Sequence, residues 1–288
     1  HHDHGHEVAD PRELEVRHAA CGGLRVGDAD DDRAHGYGEF HQDDADDEIQ
    51  EQGLLFLFGK VLGEDVSEYE ALYADIVTAF QQTWPVYHTQ TECILAAHFH
   101  LAKDCQAAAD QLAKLVTDCG IQLKTGFVGT PYLLHVLSDY GYASLAWSLL
   151  LRENYPSWLY PVTKGATTIW EHWDGIKPDG TMWSADMNSF NHYAYGAVAD
   201  WMYGAAAGIN ADPERPGFEH IIFRPVTDER LNFVRASIDT RRGTVKSEWR
   251  RENGGIRYIF TVPEGSTASV IIGEETHDVG AGVHEIFE

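Results

Sequence analysis

The chain has 288 residues and a formal charge of −25, enough length for a sizeable core and one or two domains. Its composition, 43% hydrophobic and 11% aromatic, is that of a globular protein rather than a disordered one. Such acidity argues against nucleic-acid and anionic-membrane partners, since both need a positive field, and no segment approaches the roughly 20 apolar residues of a membrane helix.

Residues 1–52 form an atypical acidic segment rich in His and Asp. The runs Asp28–Arg33 and Asp43–Glu48 have no hydrophobic face and cannot bury enough surface to offset their ordering entropy. Two expectations compete: a disordered acidic tail, or a stretch read in the wrong frame. No start resembles a signal peptide. His1, His2, His4 and His6 invite a metal-site reading, but a site needs preorganised geometry, and an unstructured His-rich end is the plainer expectation. Cys21, Cys93, Cys105 and Cys119 form no C-x-x-C pair, and three of them fall in helical patterns. They read as reduced thiols of a cytoplasmic protein.

From residue 53 to 209 the pattern is helical. Ser67 can cap a helix running to Phe80, with Tyr69, Leu72, Tyr73, Ile76 and Phe80 on one face. Thr89 opens a second helix with Cys93, Ile94, Ala97 and Leu101 inward. A third covers about 107–118 and stops near Gly120. Gly126, Gly129 and Pro131 lead into a fourth, 131–139, and a break at Gly141 precedes a fifth, 142–152, ended by Pro156. A short helix is expected near Thr168. A long one is expected after Asn188, carrying Phe190, Ala194, Ala197, Val198, Trp201 and Ala205 on one stripe. Connections are short, so neighbouring helices should pair antiparallel.

From residue 210 to 288 the period changes to two. Pro213, Pro216 and Gly217 form a linker. Strands are expected at 218–225, 232–239, 244–251, 256–262 and 268–272, with turns at Gly243, Asn253-Gly254 and Glu264-Gly265. This reads as a small antiparallel β-sandwich beside the helical part.

The chemistry gathers between Gly165 and Trp201. Glu171 sits between Trp170 and Trp173, with Asp174 close behind. Two indoles desolvate a carboxylate, which suits proton transfer, and flat apolar rings suit the C–H faces of a sugar. The competing reading is structural: Thr168-Ile-Trp-Glu171 has the form of a capping box, and a Trp pair can be simple core. His192 falls in the first turn of the expected long helix, off its apolar stripe. The helix N-terminus would keep its ring neutral, fit to bond a hydroxyl, although a lone histidine is more often structural. Metal binding is not expected, as the folded region has no H-E-x-x-H or carboxylate cluster. Ser157 and Ser189 lack a nucleophile-elbow setting, and Thr125-Gly-Phe-Val-Gly129-Thr130 lacks the lysine of a phosphate loop.

Several motifs in the same order carry a specific resemblance. Thr89-Gln-Thr91, the run Leu123–Leu134 (LKTGFVGTPYLL), Tyr155–Tyr160, Gly165–Asp174 and Asn188–Ala194 resemble the bacterial α-L-rhamnosidases of glycoside hydrolase family 78. The resemblance runs from about residue 55 to the C-terminus. It implies a partial (α/α)6 barrel followed by an antiparallel β-sandwich, no cofactor, and inverting hydrolysis of terminal α-L-rhamnosides. It assigns Glu171 as general base, His192 as a substrate contact, and Trp170 or Trp173 to the sugar pocket. The general acid belongs to a family motif upstream of residue 55 that has no counterpart in residues 1–52. About seven helices are legible where a full barrel needs twelve, so the chain is expected to be the C-terminal half of the barrel plus its β domain. The inner helix faces would then be exposed and prone to self-association. Two other functions fit the same residues: a non-catalytic carbohydrate-binding remnant, or an (α/α)6 glycosidase for a different sugar.

Overall fold

The computed structural model describes residues 13–18 as a strand and residues 59–288 apart from Met187. His1, His2, His4, His6, Cys21 and both acidic runs lie outside the described residues. The chain forms two compact units, a helical one ending at Tyr195 and a second made of Gly196–Glu288 with the strand Glu13–His18.

In the helical unit α1 (Ser67–Thr83) buries none of its residues; Leu72 and Tyr73 are 39% and 46% exposed. Ser67 is the first helical residue and caps nothing with its side chain; its N–H donates to Asp65 Oδ1 at 3.0 Å. Helix α2 (Gln90–His98) opens as the sequence predicts. Thr89 accepts from the Glu92 N–H at 3.2 Å, while Glu92 Oε2 accepts from the Thr89 N–H at 3.2 Å. Cys93, Ile94 and Ala97 are fully buried, and burial pushes the Cys93 thiol up to about 12. Cys93, Cys105 and Cys119 are all free thiols.

Helix α3 (Cys105–Asp118) starts two residues earlier than expected because Asp104 caps it, accepting from the Ala107 N–H at 2.9 Å. Leu112 and Val116 face inward with no exposure. Helices α4 (Thr130–Asp139) and α5 (Ala143–Leu150) are separated at Gly141, whose φ of +91° supplies the left-handed backbone that ends α4. Trp147, Leu133, Leu134 and Leu137 seal the core of this unit. Short helix α6 (Leu159–Thr163) follows, with Ser157 Oγ accepting from the Tyr160 N–H at 3.0 Å. No helix among the described residues is long and apolar enough to cross a membrane.

Two helical expectations fail. The described residues of 165–193 contain no helix, so neither the short helix at Thr168 nor the start of a long one at Asn188 forms. Helical backbone resumes only at Ala194, as a 3-10 turn (Ala194–Ala197), α7 (Val198–Trp201) and a π turn (Met202–Ala206).

In the second unit, β1 (Glu13–His18), β4 (Phe233–Thr240), β5 (Gly243–Glu252), β6 (Gly255–Val262) and β9 (Gly282–Phe287) form one sheet in the order β1-β4-β5-β6-β9. Strands β2 (Ile209–Ala211), β3 (His220–Phe223), β7 (Thr267–Ile272) and β8 (Glu275–Val279) form the other in chain order. Pairing is antiparallel except for β1 with β4 and β3 with β7. Strand β1 lies within the stretch expected to be disordered or misread. The sheets face one another through Phe223 and Phe260, with ring centroids 4.6 Å apart. Trp249, fully buried, donates its indole N–H to the Ala206 carbonyl at 2.9 Å, and Ser247 Oγ bonds the Ala207 carbonyl at 2.5 Å. The helical tail 196–206 therefore packs as part of the β unit.

Candidate active site

The two halves of the motif-rich stretch lie side by side as irregular chain with bends and turns. Glu171 N–H donates to the Ser189 carbonyl at 2.9 Å, His192 N–H to the Ile169 carbonyl at 2.9 Å, and Thr168 Oγ1 to the Phe190 carbonyl. The capping-box reading of Thr168 and Glu171 is thereby corrected. Their side chains bond residues about twenty positions away rather than a helix start. The Glu171 carboxylate accepts the Ser189 N–H on Oε2 at 2.9 Å. Oε1 carries no such bond; its neighbour is His172 Nε2 at 4.0 Å. The Glu171 side chain is 19% exposed, which leaves the carboxylate reachable from solvent.

Between the halves, residues 176–182 fold back on themselves. Ile176 bridges Met182, and Lys177 N–H donates to the Thr181 carbonyl at 2.7 Å. Asp179 Oδ1 accepts from both the N–H and the hydroxyl of Thr181, and Gly180 turns the chain with φ +84°. Gly175 sits at the base of this hairpin. A Cβ there would come within 3.0 Å of Trp170 and 3.2 Å of Phe190, so only glycine lets these strands close on the rings.

The predicted site rings occupy different positions. Trp170 is 5% exposed and packs edge-on to Phe190 at 5.0 Å, backing the site from below. Trp173 stacks on Tyr195 at 3.7 Å and 13°, with Trp158 edge-on at 5.4 Å. Trp158 is pinned by its own N–H, which donates to the Tyr195 carbonyl at 2.9 Å. The indole nitrogen of Trp173 is buried and has no partner, as are His172 Nε2 and Asn188 Oδ1.

His192 is held by a route the sequence did not indicate. His192 lies just ahead of the helical backbone that begins at Ala194, not in the first turn of a helix from Asn188. Its Nδ1 accepts from the Ala194 N–H at 3.3 Å, which places the proton of the neutral ring on Nε2. Phe127 stacks on its face at 5.0 Å and 14°. Phe127 and Ser189 are the contributions that motif reading missed. One acts through a ring contact 65 positions away and the other through its backbone, and neither leaves a spacing signal. Ser157 is fully buried and engaged as a cap, consistent with no nucleophilic role.

Three phenols surround this region. Burial pushes the Tyr195 hydroxyl up to about 12, with the charges of Tyr155, Asp174 and Glu171 adding to it. Tyr155 and Tyr160 are raised by burial and then by Asp174. All three are neutral hydrogen-bond donors near pH 7 beside two carboxylates. Among the described residues, no group of three or more His, Cys, Asp or Glu is placed to hold a metal ion. The arrangement offers a partly exposed glutamate side chain, an imidazole and several aromatic faces.

Comparison with known proteins places these elements. Residues 50–206 match the bacterial alpha-L-rhamnosidase 6 hairpin glycosidase domain, and residues 208–287 match the bacterial alpha-L-rhamnosidase C-terminal domain. An alpha-L-rhamnosidase of Streptomyces avermitilis is 39% identical over 234 residues, covering 78% of this chain and 22% of that protein. One from Formosa agariphila is 37% identical over 224 residues, 74% of this chain and 24% of its own length. Among solved structures, the Streptomyces avermitilis enzyme complexed with L-rhamnose superposes with TM-score 0.77 at 35% identity, over 82% of this chain and 25% of that one. The Aspergillus terreus alpha-L-rhamnosidase gives TM-score 0.78 at 31% identity, over 83% of this chain and 29% of that one. The chain spans about a quarter of the length of the curated relatives it matches.

Proposed function

We propose, from the fact that this chain belongs to the bacterial α-L-rhamnosidase 6-hairpin glycosidase family, that the complete protein hydrolyses terminal α-L-rhamnosides with inversion. Glu171 is the general base. Its Oε1 takes a proton from the water that attacks the anomeric carbon, while a second carboxyl about 6.5–9.5 Å away protonates the leaving oxygen. The family resemblance implies that this acid belongs to a motif upstream of residue 55 that has no counterpart in residues 1–52. His192 Nε2–H donates to a rhamnose hydroxyl. Trp173 lines the pocket, and Trp170 supports it from behind.

One observation carries the reading: the Glu171 carboxylate is held on Oε2 by the Ser189 amide, leaves Oε1 uncommitted, and is partly open to solvent. A carboxylate serving only to cap a helix would have its oxygens on local backbone N–H groups. The test is Glu171→Gln in the complete protein. The expected result is a fall in aryl α-L-rhamnoside hydrolysis of about 10²–10⁴-fold with rhamnose binding retained. Turnover near that of the parent protein defeats the assignment. NMR of the first-formed anomer of rhamnose tests inversion, and a panel of other aryl glycosides tests the sugar.

A further inference from the structure

The Glu171 carboxylate is asymmetric: one oxygen has a fixed donor and the other has none. The side chain next to the unclaimed oxygen belongs to His172. Its ring is held flat against Trp183, with centroids 3.7 Å apart and planes 14° apart, so the imidazole cannot tumble freely. Held this way, Nε2 lies 4.0 Å from Glu171 Oε1. That nitrogen is buried and has no hydrogen-bond partner. A buried ring nitrogen is costly to leave unpaired, and an approach of about 1 Å converts the 4.0 Å separation into a hydrogen bond.

We propose that His172 is a positioning residue for Glu171, its Nε2–H fixing the carboxylate oxygen that the Ser189 amide leaves free. The inference rests on Glu171 being the base. With Oε2 on the Ser189 N–H and Oε1 on the His172 N–H, the carboxylate plane is set by two donors. The remaining lone pair of Oε1 then faces a single direction, that of the attacking water. A base free to rotate about its terminal bond would present that lone pair only part of the time, and a displacement of about 1 Å at such a centre can cost on the order of 100-fold in rate.

The experiment compares three variants of the complete protein on an aryl α-L-rhamnoside. His172→Phe keeps a flat ring against Trp183 and removes the N–H. His172→Gln restores an N–H donor of similar reach. Glu171→Gln reports on the base itself. The expected result is a kcat about 10–100-fold lower for H172F with KM within about twofold, and recovery of most of that loss in H172Q. A kcat for H172F close to that of the parent overturns the proposal, and so does H172Q no better than H172F, since packing alone would explain such a pair. If E171Q is inactive in those cases, only the role of His172 falls. If E171Q remains active, the base assignment falls and the inference falls with it.

Discussion

Gly208 gives the sharpest test of how the β unit is assembled. It sits between the π turn and β2 with φ +77°, and a Cβ there would meet Pro225 N at 2.2 Å and the Arg224 carbonyl carbon at 2.5 Å. The close approach exists because Arg224 N–H donates to the Gly208 carbonyl at 2.9 Å and Val226 N–H to the Ala205 carbonyl at 2.8 Å. Replacing Gly208 with alanine therefore brings two penalties. The left-handed backbone costs about 1–2 kcal/mol, and overlap with immovable backbone adds about 1–3 kcal/mol. The sum, about 2–5 kcal/mol, is a large part of the roughly 5–15 kcal/mol that stabilises a domain. Gly265 is the control: its φ is +80° and nothing lies within 4 Å of its Cβ position. Gly265→Ala should show only the backbone penalty. Urea titration, read by amide exchange on the β5–β6 hairpin, should put the G208A midpoint about 1 M or more below that of G265A. Equal midpoints for the two variants would refute the steric part of the reasoning.

Two further outcomes are expected. Thr89→Ala should cost about 1 kcal/mol by removing the cap of α2, whereas Thr89→Ser should be close to neutral; thermal melts of the two variants decide it. Asp228 is subject to opposing influences: burial raises its carboxyl, but hydrogen bonds and charge from Arg230 outweigh this and hold it below the usual carboxylate range. A depressed folded-state value means the stabilisation is complete above the unfolded carboxylate value of about 4 and is lost as pH falls through the folded one. Asp228→Asn should accordingly lower the urea midpoint at pH 7 and match the parent protein at strongly acidic pH. A gap that persists unchanged at pH 2 would contradict this.

The same four-residue pattern shows both what was legible in the sequence and what was not. Thr89-Gln-Thr-Glu92 and Thr168-Ile-Trp-Glu171 share the spacing of a capping box, although only the second is singled out as one in the sequence. The first closes on its own helix; the second sends hydroxyl and carboxylate to Phe190 and Ser189 instead. Local spacing cannot distinguish the two, because the deciding partners lie far along the chain. Strands β3 to β7 were legible from alternation and from turns such as Asn253-Gly254, whose φ values of +51° and +83° are those the hairpin needs. Strands β8 and β9 were not, because neither contains a buried residue and so neither shows an apolar alternation. The expected helix after Asn188 failed for a related reason. Phe190 is spent on Trp170 and His192 on Phe127, contacts that an apolar stripe does not encode. Glu171 and His192 stand out as site candidates in the sequence because the motifs around them are long.

The tip of the hairpin at 176–182 closes on itself, from the Lys177–Thr181 link to the Asp179 side chain, while the Ile176 carbonyl at its base accepts from the Tyr160 hydroxyl at 2.8 Å. Lengthening a tip such as Asp179-Gly180 adds little closure entropy and disturbs no bond of the neighbouring carboxylate. The molecule thus sets a rewritable segment beside a fixed one. Evolution or an engineer could graft an epitope, a fluorophore or a recognition arm there while the Glu171 carboxylate next door keeps its hydrogen bond.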